Sequence, residues 1–353
     1  MSKVLMKGNE AIAEAAIRGG CKFFFGYPIT PQNELPEYMS RELPKHGGVF
    51  LQAESEVAAI NMVYGAAGAG GRVMTSSSSP GIALKQEGIS YIAGANLPAV
   101  IVNIVRGGPG LGGIQPAQSD YNQVTRGGGD GDYKMPVFVP ANLQEMVDIM
   151  MEAFDIADYY RNPVMVVGDG MIGQMMEPIE FKKPVPRELP VKDWITTGTK
   201  GERKPNIINS LFLEASDLEN HNLEAQEKYA EMVKNETRVE NYNMEKPELV
   251  LTAYGTTSRI CKNVIAEFKK EGIEIGLIRP ITVWPFPHKA FEDIPESAKG
   301  ILVVEMSQGQ MIDDVKIANN GRLPIGFHGR SGGMIPDPQD IILKVREMLG
   351  GVK

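Results

Sequence analysis

Pro98-Ala99-Val100-Ile101-Val102-Asn103-Ile104-Val105 decides the fold. A nearly continuous apolar run of this length, rich in β-branched residues, is what a strand buried on both faces of a parallel sheet requires. Working outward, Pro163 to Val167 repeats the pattern, and Arg72 to Thr75 and Lys22 to Phe25 read as shorter strands. Helical signals stand between them. Glu10 to Arg18 is apolar at helical spacing and stops at Gly19-Gly20, as helix C-termini do. Glu54 to Gly71 combines that spacing with many Ala and Gly residues, which predicts a helix pressed close against its neighbour. Strand, loop and helix in alternation give an α/β doubly wound parallel sheet, whose ligands bind outside the carboxyl ends of the strands. The loops after Phe25, Val105 and Val167 are therefore where chemistry is sought.

At 353 residues the chain exceeds one ordinary hydrophobic core, so two globular domains are expected. Residues 1–180 form the first. From Phe181 to Pro247 the composition turns charged and proline-bearing, with one long polar helix expected near Leu211 to Val239, and 181–247 reads as a connecting segment. Residues 248–353 read as a second α/β unit with strands at Leu249 to Ala253, Ile273 to Leu277 and Gly300 to Val304. A net charge of -8 and the lack of any basic run argue against nucleic acid as a partner, since phosphate binding needs clustered Lys and Arg. No apolar stretch reaches the roughly 18 residues of a membrane span, and no signal-peptide pattern opens the chain, so a cytoplasmic protein with no membrane partner is expected. Cys21 and Cys261 are the only cysteines, and the four histidines are scattered. Neither gives a zinc or iron–sulfur spacing, so no metal site is expected on this chain.

Two motif matches fail on their surroundings. Gly108-Pro109-Gly110-Leu111-Gly112-Gly113 fits G-x-G-x-x-G after a strand. A nicotinamide site needs a helix directly afterwards to aim its N-terminus at the pyrophosphate, and the polar, proline-broken Ile114 to Asp120 follows instead. A substrate loop is the better reading. Gly168-Asp169-Gly170 imitates the start of a motif in which an Asp and a later Asn hold Mg²⁺ against a diphosphate, a task for hard oxygen ligands. The matching window, Val191 to Lys200, contains no Asn. A strand-end turn is expected there.

The remaining constellation joins Tyr27-Pro28-Ile29-Thr30-Pro31, Gln52-Ala53-Glu54-Ser55-Glu56-Val57-Ala58-Ala59 and Val105-Arg106-Gly107-Gly108-Pro109-Gly110. At these points the sequence resembles the α-type, thiamin-pyrimidine-binding subunit of 2-oxoacid:ferredoxin oxidoreductases, and most nearly the branched-chain (2-oxoisovalerate) members. The likeness extends to Gly168 through Met175 and to Gly329-Arg330-Ser331-Gly332-Gly333. It implies a thiamin-diphosphate-binding fold, with a pyrimidine-binding module followed by a transketolase C-terminal-like α/β domain. It also implies a cofactor shared with a β-type subunit that carries Mg²⁺, with [4Fe–4S] clusters on partner subunits (the gamma and ferredoxin-type subunits). The reaction implied is oxidative decarboxylation of a 2-oxoacid to an acyl-CoA, using coenzyme A and reducing ferredoxin. Asp130 is a departure, since the family more often carries a histidine there, and no proton-transfer role is assigned to it.

Carried over by position, the resemblance makes Glu56 the residue that hydrogen-bonds N1′ of the aminopyrimidine. A carboxyl there favours the 4′-imino tautomer that removes the C2 proton. The plain reading of Glu56 is an acid satisfying a helix N-terminus. Thr30 matches a residue near the thiazolium and substrate, where a hydroxyl can donate to an oxygen; otherwise it is a turn hydroxyl. Arg106 matches a substrate-carboxylate arginine, suited by its planar fork; otherwise it is a solvated charge at a strand end. Tyr27, Pro28 and Ile29 complete the cofactor-binding set. Within the class, 2-oxoglutarate, pyruvate or an arylpyruvate are alternative substrates. A non-catalytic subunit that orients its partner is the alternative of another class.

Overall fold

A computed structural model of the chain describes residues 3–350. Its strands are β1 (Val4–Lys7), β2 (Phe23–Gly26), β3 (Val49–Gln52), β4 (Val73–Ser77), β5 (Ala99–Val105), β6 (Val137–Phe138), β7 (Pro163–Asp169), β8 (Met176–Ile179), β9 (Val239–Tyr242), β10 (Leu249–Thr252), β11 (Ile275–Pro280), β12 (Thr282–Trp284), β13 (Ile301–Glu305) and β14 (Ile325–Gly329). A seven-stranded sheet runs β12-β6-β7-β5-β4-β2-β3. Within it β2 to β7 pair in parallel, as the apolar runs predict, and only β12 joins antiparallel, on β6. β5 and β7 pair over their whole length, Ala99 opposite Pro163 through Val105 opposite Asp169. Every residue of both strands is buried.

Alternation along β5 divides the core. Val100, Val102 and Ile104 face the helices Gly8–Arg18 and Leu143–Tyr160, whereas Ile101 and Val105 join a second cluster with Val63, Ile82 and Ile89 from the helices Glu56–Gly68 and Ser79–Gly94. That second cluster does not stop at the module's edge. Val250, Ile278, Ile301 and Val303 belong to it, so one apolar core runs under both halves. The last two helices pack closely, because a Cβ on Gly88 would lie 2.5 Å from Ile60 Cγ2. Here the glycine that permits the approach sits on the partner of the Ala- and Gly-rich helix.

The second sheet runs β14-β13-β10-β11-β9, parallel except for β9. Two strands cross the composition boundaries. β9 lies inside 181–247 yet pairs with β11, and β12 lies beyond 248 yet completes the first sheet. The long polar helix of the connecting segment spans Ala215–Glu236. Arg279, at the end of β11, is 5% exposed and grips Glu145 of the helix Leu143–Tyr160 through both terminal nitrogens (2.9 and 2.8 Å), while its Nε donates to Glu240 of β9 at 2.5 Å. One buried guanidinium thus joins both sheets through their helix and strand neighbours. Among the described residues, no helix is long and apolar enough to cross a membrane.

Candidate active site

The carboxyl ends of β2, β3, β4 and β5 open onto one rim, and the sequence places a polar cluster there. Ser55 caps the helix Glu56–Gly68 by accepting from the Ala58 amide at 3.1 Å, a cap worth about 1 kcal/mol. This fixes Glu56 as the first helical residue. Glu56 is only 7% exposed, and among the described residues no donor hydrogen-bonds to its carboxylate. It stands in the first turn of that helix, as the plain reading expects, and leaves its oxygens free for a second role. Opposite it stands Gly81, where a Cβ would come within 2.7 Å of Glu56 Oε1 and 2.1 Å of Ser77 Oγ. Only glycine leaves that notch open. The hydroxyls of Ser77 and Ser78 beside it are buried without a partner, a cost tolerated where a ligand supplies the missing bonds.

The Tyr27–Pro31 loop forms the next part of the rim. Tyr27, Pro28 and Thr30 are exposed and Ile29 is half-buried. It is held from below at the Pro31 carbonyl, which accepts from Asn9 at 2.8 Å and from Gln174 at 2.9 Å. Gln32 adds a buried bond, accepting from Ser76 Oγ at 2.6 Å. Thr30 keeps its hydroxyl toward solvent with only a 3.4 Å contact from Asn33.

Arg106 differs from a solvated strand-end charge: it is 6% exposed. Nη1 donates to the Thr30 carbonyl and Nη2 to the Leu111 carbonyl, each at 2.9 Å, while Nε is buried with no partner. Each terminal nitrogen retains a second N–H. The guanidinium therefore clasps two loops, the Tyr27–Pro31 loop and the glycine-rich loop that Gly113 N closes on Gly107 O at 2.8 Å. No helix follows that glycine-rich loop until Tyr121–Thr125. The Arg106 amide donates to Ser79 Oγ at 3.1 Å, and the Ser79 hydroxyl meets the Arg106 carbonyl at 3.3 Å. Ser79 opens the helix that carries Gly81. Thr30, Arg106 and the Glu56 notch are thereby linked through Ser79, and the turn Ser331-Gly332-Gly333 from the second half packs against Gln115 and Gly107 at the same rim.

Three contributors escape sequence reading. Asn103, the polar interruption of the β5 run, is fully buried; it accepts from the Ser79 amide at 3.1 Å and donates to Asp120 at 2.9 Å. Gln118 ties the rim to the second sheet, bonding to Tyr254, Thr257 and Met306. Lys85, four residues after Gly81 on the same helix, is wholly buried and donates to Thr75 Oγ1 at 2.7 Å and to the Ser76 carbonyl at 3.0 Å. An interrupted apolar strand was the one visible signal, at Asn103.

Asp169 is not a simple turn. It caps a short helix, Gly170–Gln174, by accepting from the Met171 and Ile172 amides at 2.9 and 3.1 Å, and it also takes the Thr256 hydroxyl. Burial pushes its carboxyl above the usual range, with Thr256 and the two amides opposing. A cavity of about 20 Å³ lies beside it, lined by Asp120, Tyr254 and Gln118; that is room for a water, not for a substrate. Asp130 accepts from Ser90 Oγ at 2.7 Å, away from Glu56. Among the described residues no group of His, Cys, Asp or Glu could hold a metal ion. The unpartnered carboxylate, the glycine notch and the orphan serine hydroxyls suit a flat, hydrogen-bonding ring such as an aminopyrimidine.

Known proteins share this architecture. Residues 14–244 match the family described as pyruvate flavodoxin/ferredoxin oxidoreductase, thiamine diP-bdg, and residues 247–341 match pyruvate:ferredoxin oxidoreductase core domain II. A ketoisovalerate oxidoreductase subunit VorB of Methanothermobacter marburgensis is 47% identical over 350 residues, covering 99% of each chain. A solved 2-oxoglutarate:ferredoxin oxidoreductase from Magnetococcus marinus, with 2-oxoglutarate, coenzyme A and succinyl-CoA bound, superposes with TM-score 0.88 at 25% identity, over 99% of this chain and 65% of that one. A split-gene transketolase shares the fold alone, at TM-score 0.60, 13% identity and 98% of each chain. Two consecutive family domains and near-full-length identity agree with the rim's chemistry, and the chain belongs to the 2-oxoacid:ferredoxin oxidoreductase family.

Proposed function

We infer that this chain supplies the pyrimidine-activating part of a heteromeric, CoA-dependent oxidoreductase that converts 3-methyl-2-oxobutanoate to 2-methylpropanoyl-CoA and CO2 while reducing ferredoxin. The observation that carries this is the buried Glu56 carboxylate, free of protein donors and facing the Gly81 notch. Residues 1–180 act as the pyrimidine-binding module, 181–247 connect it, and 248–353 form the transketolase C-terminal-like domain. Bound thiamin diphosphate supplies a carbon nucleophile for the oxoacid's ketone and a sink for the electrons released by decarboxylation.

Glu56 holds the pyrimidine N1′ and shares its proton, because a carboxylate with no competing donor is free to accept one. Thr30, hydroxyl toward solvent, donates to an oxygen of the oxoacid. Arg106 turns its remaining N–H groups to the carboxylate, while its bonds to Thr30 and Leu111 keep both loops in place. Tyr27, Pro28 and Ile29 shape the wall beside them. The diphosphate and Mg²⁺ belong to a β-type partner, since the oxygens of Asp169 are already committed to Thr256 and two amides. Clusters belong to gamma and ferredoxin-type partners: Cys21 and Cys261 are buried thiols, pushed up to about 12 by desolvation, which disfavours the thiolate that iron requires. The assembly works in the cytoplasm.

The test is the assembled complex, assayed with a low-potential electron acceptor against a panel of oxoacids. 3-Methyl-2-oxobutanoate should give the highest kcat/KM, and a higher value for 2-oxoglutarate, pyruvate or an arylpyruvate overturns the substrate assignment.

A further inference from the structure

Lys85 lies on the helix Ser79–Gly94 between two glycines at helical spacing, Gly81 four residues before it and Gly88 three after. Residues so spaced share one face, and this face is the one turned to the helix Glu56–Gly68: Gly81 clears Glu56 and Gly88 clears Ile60. The glycines bring the two helices close on either side of the lysine, while Ile82, Ile89 and Ile92 pack in the same apolar cluster as Ile60 and Val63. The Lys85 ammonium is fully buried, pinned by Thr75 Oγ1 and the Ser76 carbonyl at the end of β4. Desolvation pushes it down to about 7, and the one charged group acting on it is Glu56, which pulls it back up.

Burying an ammonium is costly, and a methionine would fill the space without that cost. Simple packing therefore does not account for lysine here. We propose that Lys85 is a positioning residue for the pyrimidine-activating step, a fixed buried ammonium that sets the electrostatic field in which Glu56 meets the aminopyrimidine nitrogen. This rests on the reading of Glu56 given above. The bonds of Lys85 to Thr75 and to the Ser76 carbonyl on β4 hold the ammonium in place, so that it and Glu56 act on each other through space without a hydrogen bond between them. Glu56 thus feels a cation and keeps its oxygens for the ligand.

The first arm of the test needs no cofactor. In the full-length chain labelled with ¹⁵N-lysine, the Nζ signal lost in Lys85→Met is titrated in wild type and in Glu56→Gln. A midpoint near 7 is expected in wild type, lowered in Glu56→Gln by about one unit as the opposite charge is removed. An unchanged midpoint means that the two groups do not communicate, and the proposal falls whatever Glu56 does. The second arm measures C2-proton exchange of thiamin diphosphate bound to the assembled complex. Lys85→Met and Lys85→Gln should each slow exchange at least about tenfold, with KM for the oxoacid little changed. Exchange at the wild-type rate in either folded variant overturns the proposal. If both misassemble, the titration arm alone decides. Wild-type exchange in Glu56→Gln would instead remove the reading of Glu56 itself, so the two failures are distinguishable.

Discussion

Glu56 and Lys85 stand on two helices that touch through glycine, and the charge of one acts on the other; at this scale small changes have predictable outcomes. In the assembled complex Glu56→Gln should slow turnover about 10²- to 10⁴-fold, the usual worth of a positioned acid or base, with C2-proton exchange falling in step. An amide fills the same space but cannot share the proton. Gly81→Ala puts a methyl within 2.7 Å of Glu56 Oε1. It also puts that methyl 2.1 Å from Ser77 Oγ, so it should cut turnover at least about tenfold and lower the thermal midpoint, the about 1 kcal/mol by which alanine favours a helix offsetting only part of the overpacking; calorimetry beside steady-state kinetics reads the two effects. Lys85 gives a pH signature in stability. Its folded value is about 7 against an ordinary 10.5, so between those values the unfolded chain binds a proton that the folded chain lacks. Stability contributed by this group therefore rises with pH across that window, by up to about 1.4 kcal/mol per unit, and its full cost is felt below pH 7. The unfolding free energy of wild type minus Lys85→Met should climb from pH 7 to pH 10 in denaturant titrations. A flat difference would mean that Lys85 does not titrate there. Sequence reading could single out Glu56, Thr30 and Arg106 because they stand in quotable motifs. Lys85 was invisible, because a lysine in a helix is ordinarily solvated and its burial here depends on two glycines and on Glu56, some thirty residues away in sequence.

Elements were legible in proportion to their length and periodicity. β5 and β7, with seven apolar-rich residues each, announce themselves; so does the helix Gly8–Arg18, which begins two residues earlier than its periodic stretch. β6 has two residues and β12 three, too few to show alternation, and only the neighbouring strands define them. Cross-module pairs were equally hidden. The Arg279 clasp on Glu145 and Glu240 pairs residues far apart in sequence. Arg279→Ala leaves Glu145 without its cation and Glu240 with Lys262 alone, in a partly buried place, and should cost about 3 kcal/mol. Arg279→Met, equal in bulk, should lose nearly as much if the charge is what matters. Equilibrium denaturation of both variants decides, and full recovery by methionine would assign the effect to packing.

Over the whole molecule, the proposed function makes the chain the holder of the pyrimidine end of a shared cofactor. The purified chain alone should bind thiamin diphosphate weakly and show no oxidoreductase activity, since the rim provides a carboxylate and hydroxyls, the Asp169 oxygens are committed to Thr256 and two amides, and among the described residues no group of three or more His, Cys, Asp or Glu could hold a metal ion. Adding the β-type partner should raise affinity at least about a hundredfold, stabilising the assembly by mass action. Titration calorimetry with Mg²⁺ and thiamin diphosphate, with and without partner, checks this; tight Mg²⁺-dependent binding by the lone chain would contradict the division of labour.

The donation of β12 to the first sheet bears on how such a chain can be divided. The two family domains meet between residues 244 and 247, which suggests a natural place for gene fission. Yet a polypeptide ending there would lack β12 and present β6 as a naked edge, an invitation to pair with another copy of itself. The other product would carry β12 with no sheet to join, and the Ile278 and Val303 side of the shared core would face water. Covalent continuity of the chain accordingly keeps the β6 edge paired and the shared core covered, and recombination that exchanges one module between relatives should carry β6 and its β12 partner as a matched pair.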